Sequence, residues 1–108
     1  MKKIGGNIHA IVQVKKTKRN SLGETVTEYI DFKTITGYLD YMSGESSFAV
    51  YNAKLEDTTH IFICDYEELP DENNIRLQID DRVYEVKLID VPMGIKHHME
   101  IYLRYVGI

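Results

Sequence analysis

The chain has 108 residues and a mass of 12.5 kDa, enough for one domain with one modest core. A hydrophobic fraction of 44% and a charged fraction of 28% exclude a collagen-like or wholly disordered chain, so we expect residues 1–108 to form a single domain. No apolar run approaches the roughly 20 residues needed to cross a bilayer. Lys2-Lys3 leads into Gly5-Gly6 rather than a signal segment, and the lone Cys64 has no disulfide partner. These features predict a cytoplasmic protein without a membrane partner.

Positive and negative charges are separated along the sequence. Residues 1–19 carry six basic side chains and no acidic one, although the whole chain has 13 basic and 17 acidic residues. Residues 65–72 hold five acids and no base. Such separation favours self-assembly or docking on a complementary surface over a dedicated nucleic-acid binder, which would be basic overall.

Apolar and polar residues alternate with a period of two through most of the chain, which is typical of β-strands. This alternation predicts strands over residues 8–14, 25–38, 58–64, 75–79, 84–88 and 99–105. The polar residues 15–24 predict a long exposed hairpin loop. The second strand is long, so we expect a bend or bulge over residues 31–34.

Turn and helix signals complete the predicted fold. Asp80-Asp81 predicts a two-residue hairpin turn, and residues 91–94 predict a type I turn with Pro second and Gly fourth. Residues 45–55 place Phe48, Tyr51 and Leu55 on one face of a short helix. The predicted fold class is therefore mainly β. We expect a small antiparallel β-barrel of about six strands in meander order, with one short helix inserted between the second and third strands.

Catalytic and metal-binding motifs are weak. Cys64 lies in an apolar strand and is predicted to be a core residue rather than a nucleophile. His97-His98 would point to opposite faces on a strand and so are not expected to share a metal ion, and we interpret them as a solvated loop leading into the last strand. We therefore expect no enzyme activity, no metal and no cofactor. The acidic residues 65–72 are interpreted as a solvated loop or a docking surface.

The basic loop and two tyrosines are the residue-level candidates for binding. The loop is either solvated surface or an arm that contacts an acidic neighbour or a phosphate backbone, and the charge separation would let identical copies dock head to side. Tyr38 and Tyr41 flank the predicted helix and are candidate interface anchors. The basic loop residues are Lys15, Lys16, Lys18 and Arg19.

The order and spacing of several motifs resemble the phage head-tail joining proteins (head-closure, or stopper, proteins) of tailed bacteriophages and prophages. The chain departs from that pattern at Asp81, where family members commonly have Gly, and in lacking a Trp before Thr36. The motifs are Leu22-Gly23-Glu24, Thr36-Gly37-Tyr38-Leu39-Asp40, Ser43-Gly44-Glu45, Asp57-Thr58-Thr59-His60-Ile61-Phe62-Ile63, the hairpin from Ile75 to Val86, Ile89-Asp90-Val91-Pro92 and the closing strand from Met99 to Leu103.

The resemblance implies a structural protein of the virion neck, present in the host cytoplasm before assembly. Copies would form a twelve-fold ring between portal or adaptor proteins and tail-terminator proteins, and the packaged DNA would pass through without sequence-specific binding. The segment between the second and third strands would face the neighbouring ring and the channel, where acids such as Glu45, Glu56 and Asp57 would repel phosphate. The predicted docking residues are Tyr38, Tyr41, Met42, Glu45, Phe48, Tyr51, Lys54, Glu56 and Asp57.

Two other interpretations remain open at this point. A tail-terminator-like neck protein would differ in ring stoichiometry. A small OB-like β-barrel binding module would need exposed aromatic residues beside Lys and Arg on one strand face, whereas here the bases cluster apart from the tyrosines.

Overall fold

The computed structural model describes residues 4–41 and 57–108. Within them the chain is mainly β, with six strands and two single-turn 3₁₀ helices at Glu72–Asn74 and Pro92–Gly94. The strands are β1 (Ile8–Arg19), β2 (Thr25–Tyr41), β3 (His60–Asp65), β4 (Ile75–Ile79), β5 (Arg82–Asp90) and β6 (His98–Gly107). The predicted helix over residues 45–55 lies outside the described residues.

The six strands form one antiparallel sheet that closes on itself in the order β1-β2-β3-β6-β5-β4. The predicted mainly β class and the six antiparallel strands are confirmed, but the meander order is wrong. β3 pairs with β6, and β4 crosses to the far side and pairs with β1 over Ile11–Val14. The reason is the connection over residues 66–74, which is too long for a tight hairpin and carries the chain across one end of the closed sheet.

The interior of the closed sheet is filled by alternate side chains from all six strands. Cys64 is buried there, as predicted, and burial raises the pKa of its thiol to about 12, so the group stays protonated. The fully or nearly buried residues include Ala10, Val12, Ile35, Phe62, Ile75, Leu77, Ile79, Tyr84, Val86, Met99, Ile101 and Leu103.

The distal halves of β1 and β2 extend beyond the closed sheet as a two-stranded hairpin arm, defined here as residues 15–29. β1 pairs with β4 only as far as Val14, and β2 pairs with β3 only from Gly37 to Tyr41. The prediction of a basic loop over residues 15–24 is therefore wrong, because its basic residues lie on β1 and pair in register with β2.

The true turn of the hairpin arm is short. The Asn20 carboxamide oxygen accepts hydrogen bonds from the backbone nitrogens of Leu22 (2.9 Å) and Glu24 (3.0 Å). Gly23 has a φ of 81°, which a residue without a Cβ adopts readily. Asn20 and Gly23 suggested a loop over residues 15–24, but in the structure they form a turn limited to residues 20–24.

A bulge lies where the hairpin arm leaves the closed sheet. The register passes from Val12 opposite Lys33 to Gln13 opposite Asp31, which leaves Phe32 as an extra residue on β2. This confirms the predicted bulge over residues 31–34. An extra residue increases local twist and lets the strand change direction at this point.

Two predicted turns differ in their details. Asp80-Asp81 forms the two-residue turn as predicted, and Asp80 rather than Asp81 takes the left-handed conformation with a φ of 56°. At the second turn Gly94 donates to the carbonyl of Val91 (2.9 Å), but Met93 has φ 56° and ψ 10°. A left-handed third residue is typical of type II, so the type I prediction is wrong.

Candidate functional site: three outer surfaces

Aromatic side chains close the end of the sheet at which residues 42–56 begin and end. Tyr41 pairs with His60 across β2 and β3, so the chain leaves and returns at neighbouring positions. The rings of Tyr41 and His60 meet edge-on at 5.5 Å, those of His60 and Tyr84 at 5.1 Å, and those of Tyr84 and Tyr105 at 5.6 Å. Such contacts stabilise the end of the sheet beyond simple burial.

His60 sits within this aromatic row and titrates unusually. Burial lowers the pKa of its imidazole, and the positive charge of Arg82 lowers it further. The neutral ring therefore packs between the two tyrosines at neutral pH.

Asp57, at the start of the described residues 57–108, is held by two cations. Its carboxylate lies 3.3 Å from Nζ of Lys87 and 3.7 Å from Nε of Arg104, and Arg104 also pairs with Glu85 at 3.1 Å. A shared cluster fixes a side chain better than one exposed ion pair. The return of the chain into β3 is thus anchored on β5 and β6.

The structure places only three of the predicted docking residues. Tyr38 points outward from β2 and is 46% exposed, Tyr41 is 77% exposed, and Asp57 belongs to the ion cluster. The others lie outside the described residues: Met42, Glu45, Phe48, Tyr51, Lys54 and Glu56.

The first outer surface is an acidic face on β2, β3, β6 and β5. The pairing register aligns Tyr38, Ile63, Glu100 and Asp90 in one outward row, and Asp40 and Ile61 start the next row. Ile61 and Ile63 are half-buried, and no ion pair joins the three carboxylates to a cation in the described chain. We call this set the acidic face: Tyr38, Asp40, Ile61, Ile63, Asp90 and Glu100.

Two carboxylates of the acidic face repel each other. Asp90 and Glu100 stand directly opposite each other on β5 and β6, an arrangement that destabilises a sheet when no cation intervenes. In the same region burial raises the pKa of Tyr102 to about 12, with further contributions from Glu100 and Asp90. Sequence reasoning missed this surface because Asp40, Asp90 and Glu100 meet only through the strand order.

The second surface is the hairpin arm, whose two faces differ. Lys16 lies opposite Glu28 and Lys18 opposite Val26 on one face. Lys15 lies opposite Tyr29 on the other, where the Arg76 guanidinium stacks 3.9 Å from the centre of the Tyr29 ring. This stack ties the base of the hairpin arm to β4.

A polar network beside that stack also holds the base of the hairpin arm. The buried Gln13 amide donates to Asp31 and to Gln78, both at 2.9 Å, and its carbonyl oxygen accepts from Nε of Arg76 at 2.7 Å. A buried amide with all these partners orients its neighbours at little energetic penalty. The position from which the hairpin arm projects is therefore fixed.

An apolar groove of about 260 Å³ runs along the base of the hairpin arm on the face that carries Lys16. Ile30 is 47% exposed and Phe32 50% exposed, and Val26 continues the apolar surface toward the tip. Val14, Lys16, Ile30, Asp31, Phe32 and Pro70 line the groove. The same face of β1 and β2 points into the core where these strands belong to the closed sheet. At the groove, no strand of the described chain covers it.

The third surface is the acidic connection over residues 66–74, which is largely engaged within the molecule. Glu67 pairs with Lys33 at 3.2 Å, Asp71 accepts from the backbone nitrogen of Asn73 at 2.8 Å, and Glu72 accepts from that of Ile89 at 2.7 Å. Its acids therefore serve mainly to fix the connection, which matches neither a purely solvated loop nor a free docking surface.

The two adjacent histidines lie where the chain enters the last strand. His97 precedes β6, so strand alternation does not separate it from His98, and the two Nδ1 atoms lie 3.2 Å apart. Within residues 4–41 and 57–108 no group of three or more His, Cys, Asp or Glu side chains is placed to hold a metal ion. In the same residues no helix is long and apolar enough to span a membrane.

Solved structures share this fold. The solution structure of protein SF1141 from Shigella flexneri 2a superposes with a TM-score of 0.74 at 18% identity, covering 97% of this chain and 96% of that chain. A chain of the native gene transfer agent virion superposes with a TM-score of 0.56 at 9% identity, covering 94% of this chain and 96% of that chain. At these identities the likeness concerns the fold alone.

Sequence comparison is more specific. No curated protein sequence matches the chain. The family model described as phage head completion protein matches residues 7–104, which run from the start of β1 into β6. That match covers nearly the whole chain and agrees with the resemblance carried by its motifs, and the chain therefore belongs to the phage head completion protein family.

Proposed function

We propose that this protein is a structural component of the neck of a tailed phage. Copies form a ring, twelve-fold by the family resemblance, below the portal and adaptor rings, and this ring retains the packaged DNA and offers the tail-terminator proteins a face to bind. The observation that carries the proposal is the family match over residues 7–104. The fold likeness to a chain from a virion supports it. The mechanism is assembly and steric retention, without bond chemistry.

The test of this proposal is a phage that lacks the gene. We expect filled heads that lose their DNA and carry no tails, and purified protein added to these heads should restore both properties. Electron microscopy of the heads measures ring density and tail attachment. A matched control is Phe62→Ala, which removes a fully buried side chain from the core and should fail through loss of stability. Tailed, DNA-retaining particles without the protein would contradict the proposal.

The connection between β2 and β3 is the part that we assign to the neighbouring ring and the channel. Its two ends support this assignment, because Tyr41 packs on His60 and Asp57 is held by Lys87 and Arg104. Loops on a rigid scaffold are where binding sites concentrate. Tyr38 and Tyr41, both exposed beside this connection, supply aromatic contacts for a partner.

Acidic residues of this connection should limit the grip of the ring on DNA. Asp57 is already neutralised by its two cations, so the repulsive role falls to Glu45 and Glu56. We expect Glu45→Gln with Glu56→Gln to assemble normally and to slow DNA ejection, measured as the time course of DNA release. Asp57→Asn is the comparison, and it should loosen the anchoring of the segment and lower ring occupancy. Unchanged ejection by the double variant would remove the repulsion from the mechanism.

A further inference from the structure

We propose that the hairpin arm of one copy docks, through its Lys16 face, on the acidic face of the next copy, so that subunits associate head to tail. The inference rests on the proposed ring and names the two surfaces that would build it. The occupant of the uncovered arm is thus a second copy of this chain.

The hairpin arm needs a partner on physical grounds. A two-stranded ribbon with water on both faces is marginally stable by itself. Val26 on the hairpin arm is 38% exposed, and Ile30 and the bulge residue Phe32 at its base are 47% and 50% exposed. Such a run of apolar side chains, lined up beside a groove, is typical of a surface that is covered in the assembled state.

Charge complementarity selects a second copy as that partner. On the Lys16 face Lys18 pairs with Glu28 at 3.1 Å, whereas Lys16 forms no ion pair in the described chain. The acidic face has the opposite composition: Asp40 lies beside the half-buried Ile61, and Glu100 lies between the half-buried Ile63 and Asp90. Docking would place apolar side chains on apolar ones and lysines among carboxylates. It would also relieve the opposed Asp90 and Glu100.

The two surfaces lie on different parts of the molecule, so the contact is heterologous. The hairpin arm projects beyond the closed sheet, whereas the acidic face covers the outside of β2, β3, β6 and β5. A contact between unlike surfaces of identical copies repeats from copy to copy and closes into a ring when the rotation permits. DNA is the less favoured occupant, because a phosphate backbone leaves Val26, Ile30 and Phe32 uncovered.

Charge exchange tests the contact directly. One variant reverses the Lys16 face of the arm (Lys16→Glu, Lys18→Glu), one reverses the acidic face (Asp90→Lys, Glu100→Lys), and one combines all four changes. Controls that each reverse one charge, of either sign, at exposed sites elsewhere are Lys96→Glu and Asp81→Lys. Each variant is purified, its fold is checked by circular dichroism, and it is added to heads that lack the protein.

We expect each single-surface reversal to lower ring occupancy of the heads by about tenfold or more through like-charge contact. The four-fold variant should regain the occupancy, and so should an equimolar mixture of the two reversals, because every acidic arm then meets a basic face. Normal occupancy of either single reversal, or failure of both restorations with intact folds, overturns the proposal. A reversed arm that assembles normally but loses DNA retention identifies DNA as its partner and equally overturns it.

Cross-linking separates this inference from the proposed function. Heads are supplemented with an equal mixture of ¹⁵N-labelled and unlabelled protein and treated with a zero-length carbodiimide, which joins lysines to carboxylates in contact. We expect mixed-label peptides that join Lys16 or Lys18 to Asp90 or Glu100. Rings without these cross-links overturn the inference and leave the proposed function standing. If the protein never joins the heads, the proposed function fails, and the same labelled mixture concentrated in solution decides the inference by the presence or absence of these cross-links.

Discussion

At the scale of single residues, His60 shows how a polar group is accommodated at the rim of an apolar core. Its ring lies between Tyr41 and Tyr84, and burial together with Arg82 lowers its pKa. The neutral imidazole is therefore favoured at this place over the charged one. Sequence alone indicated a strand residue at position 60, but not its contact with Tyr84, because Tyr84 comes from a distant strand.

We expect His60 to make the stability of the isolated protein depend on pH. The folded-state pKa is lowered, so the unfolded chain binds more protons as the pH falls below about 6.5. The free energy of unfolding should therefore decrease from pH 7 toward acidic pH. His60→Phe keeps the ring contacts and should flatten this slope in urea denaturation series. His9→Gln, at an exposed histidine, is the control that should keep the native slope, and an unchanged slope in His60→Phe would contradict the prediction.

At the scale of elements, alternation of apolar and polar residues was enough to predict the strands of the closed sheet. Residues 75–79 and 99–105 alternate because one face is buried and the other is not. The hairpin arm gives no such signal, since water reaches both of its faces, and the polar residues 15–19 therefore suggested a loop. Alternation also says nothing about which strand is the neighbour, and this is why the order of β3 and β4 was missed.

The hairpin arm should be dispensable for folding and required for assembly. We expect replacement of residues 17–27 by Asn-Gly, a favoured two-residue hairpin turn, to keep every pairing of the closed sheet, because β1 pairs with β4 only over Ile11–Val14. Its thermal midpoint should stay within about 4–8 °C of the native value, a change of about 1 kcal/mol. Ring occupancy of the heads should be lost. A collapse of the midpoint would instead make the hairpin arm part of the folding unit.

The candidate site was predictable only where it coincides with a local signal. The basic residues at 15–19 and the exposed tyrosines at 38 and 41 stand out in the sequence, and the structure leaves them on the surface. The acidic face has no local signal at all, because Asp40 comes from β2, Asp90 from β5 and Glu100 from β6. Its existence depends on register, which a single sequence does not reveal.

At the scale of the whole molecule, closure makes each strand of the sheet depend on two neighbours. β4 joins β1 to β5, so opening one pairing exposes the common core of the others. We expect a single cooperative transition for the closed sheet, with the hairpin arm opening separately at lower free energy.

Hydrogen exchange measured by mass spectrometry should resolve these two units. Amides of β3 and β6, which are paired on both sides over the core, should exchange slowest in the isolated protein, and amides of residues 15–29 should exchange much faster. In assembled heads the hairpin arm should become protected. Equal protection of β6 and the hairpin arm in the isolated chain would contradict the division into two units.

The same extension of β1 and β2 creates a hazard that the rest of the molecule avoids. Beyond the closed sheet each strand of the hairpin arm has one edge whose amides and carbonyls no strand of the described chain occupies. Such open edges are templates for indiscriminate strand addition and fibril growth. Closely spaced lysines repel a second strand of the same kind. Lys15, Lys16 and Lys18 therefore also oppose aggregation of unassembled copies at high concentration.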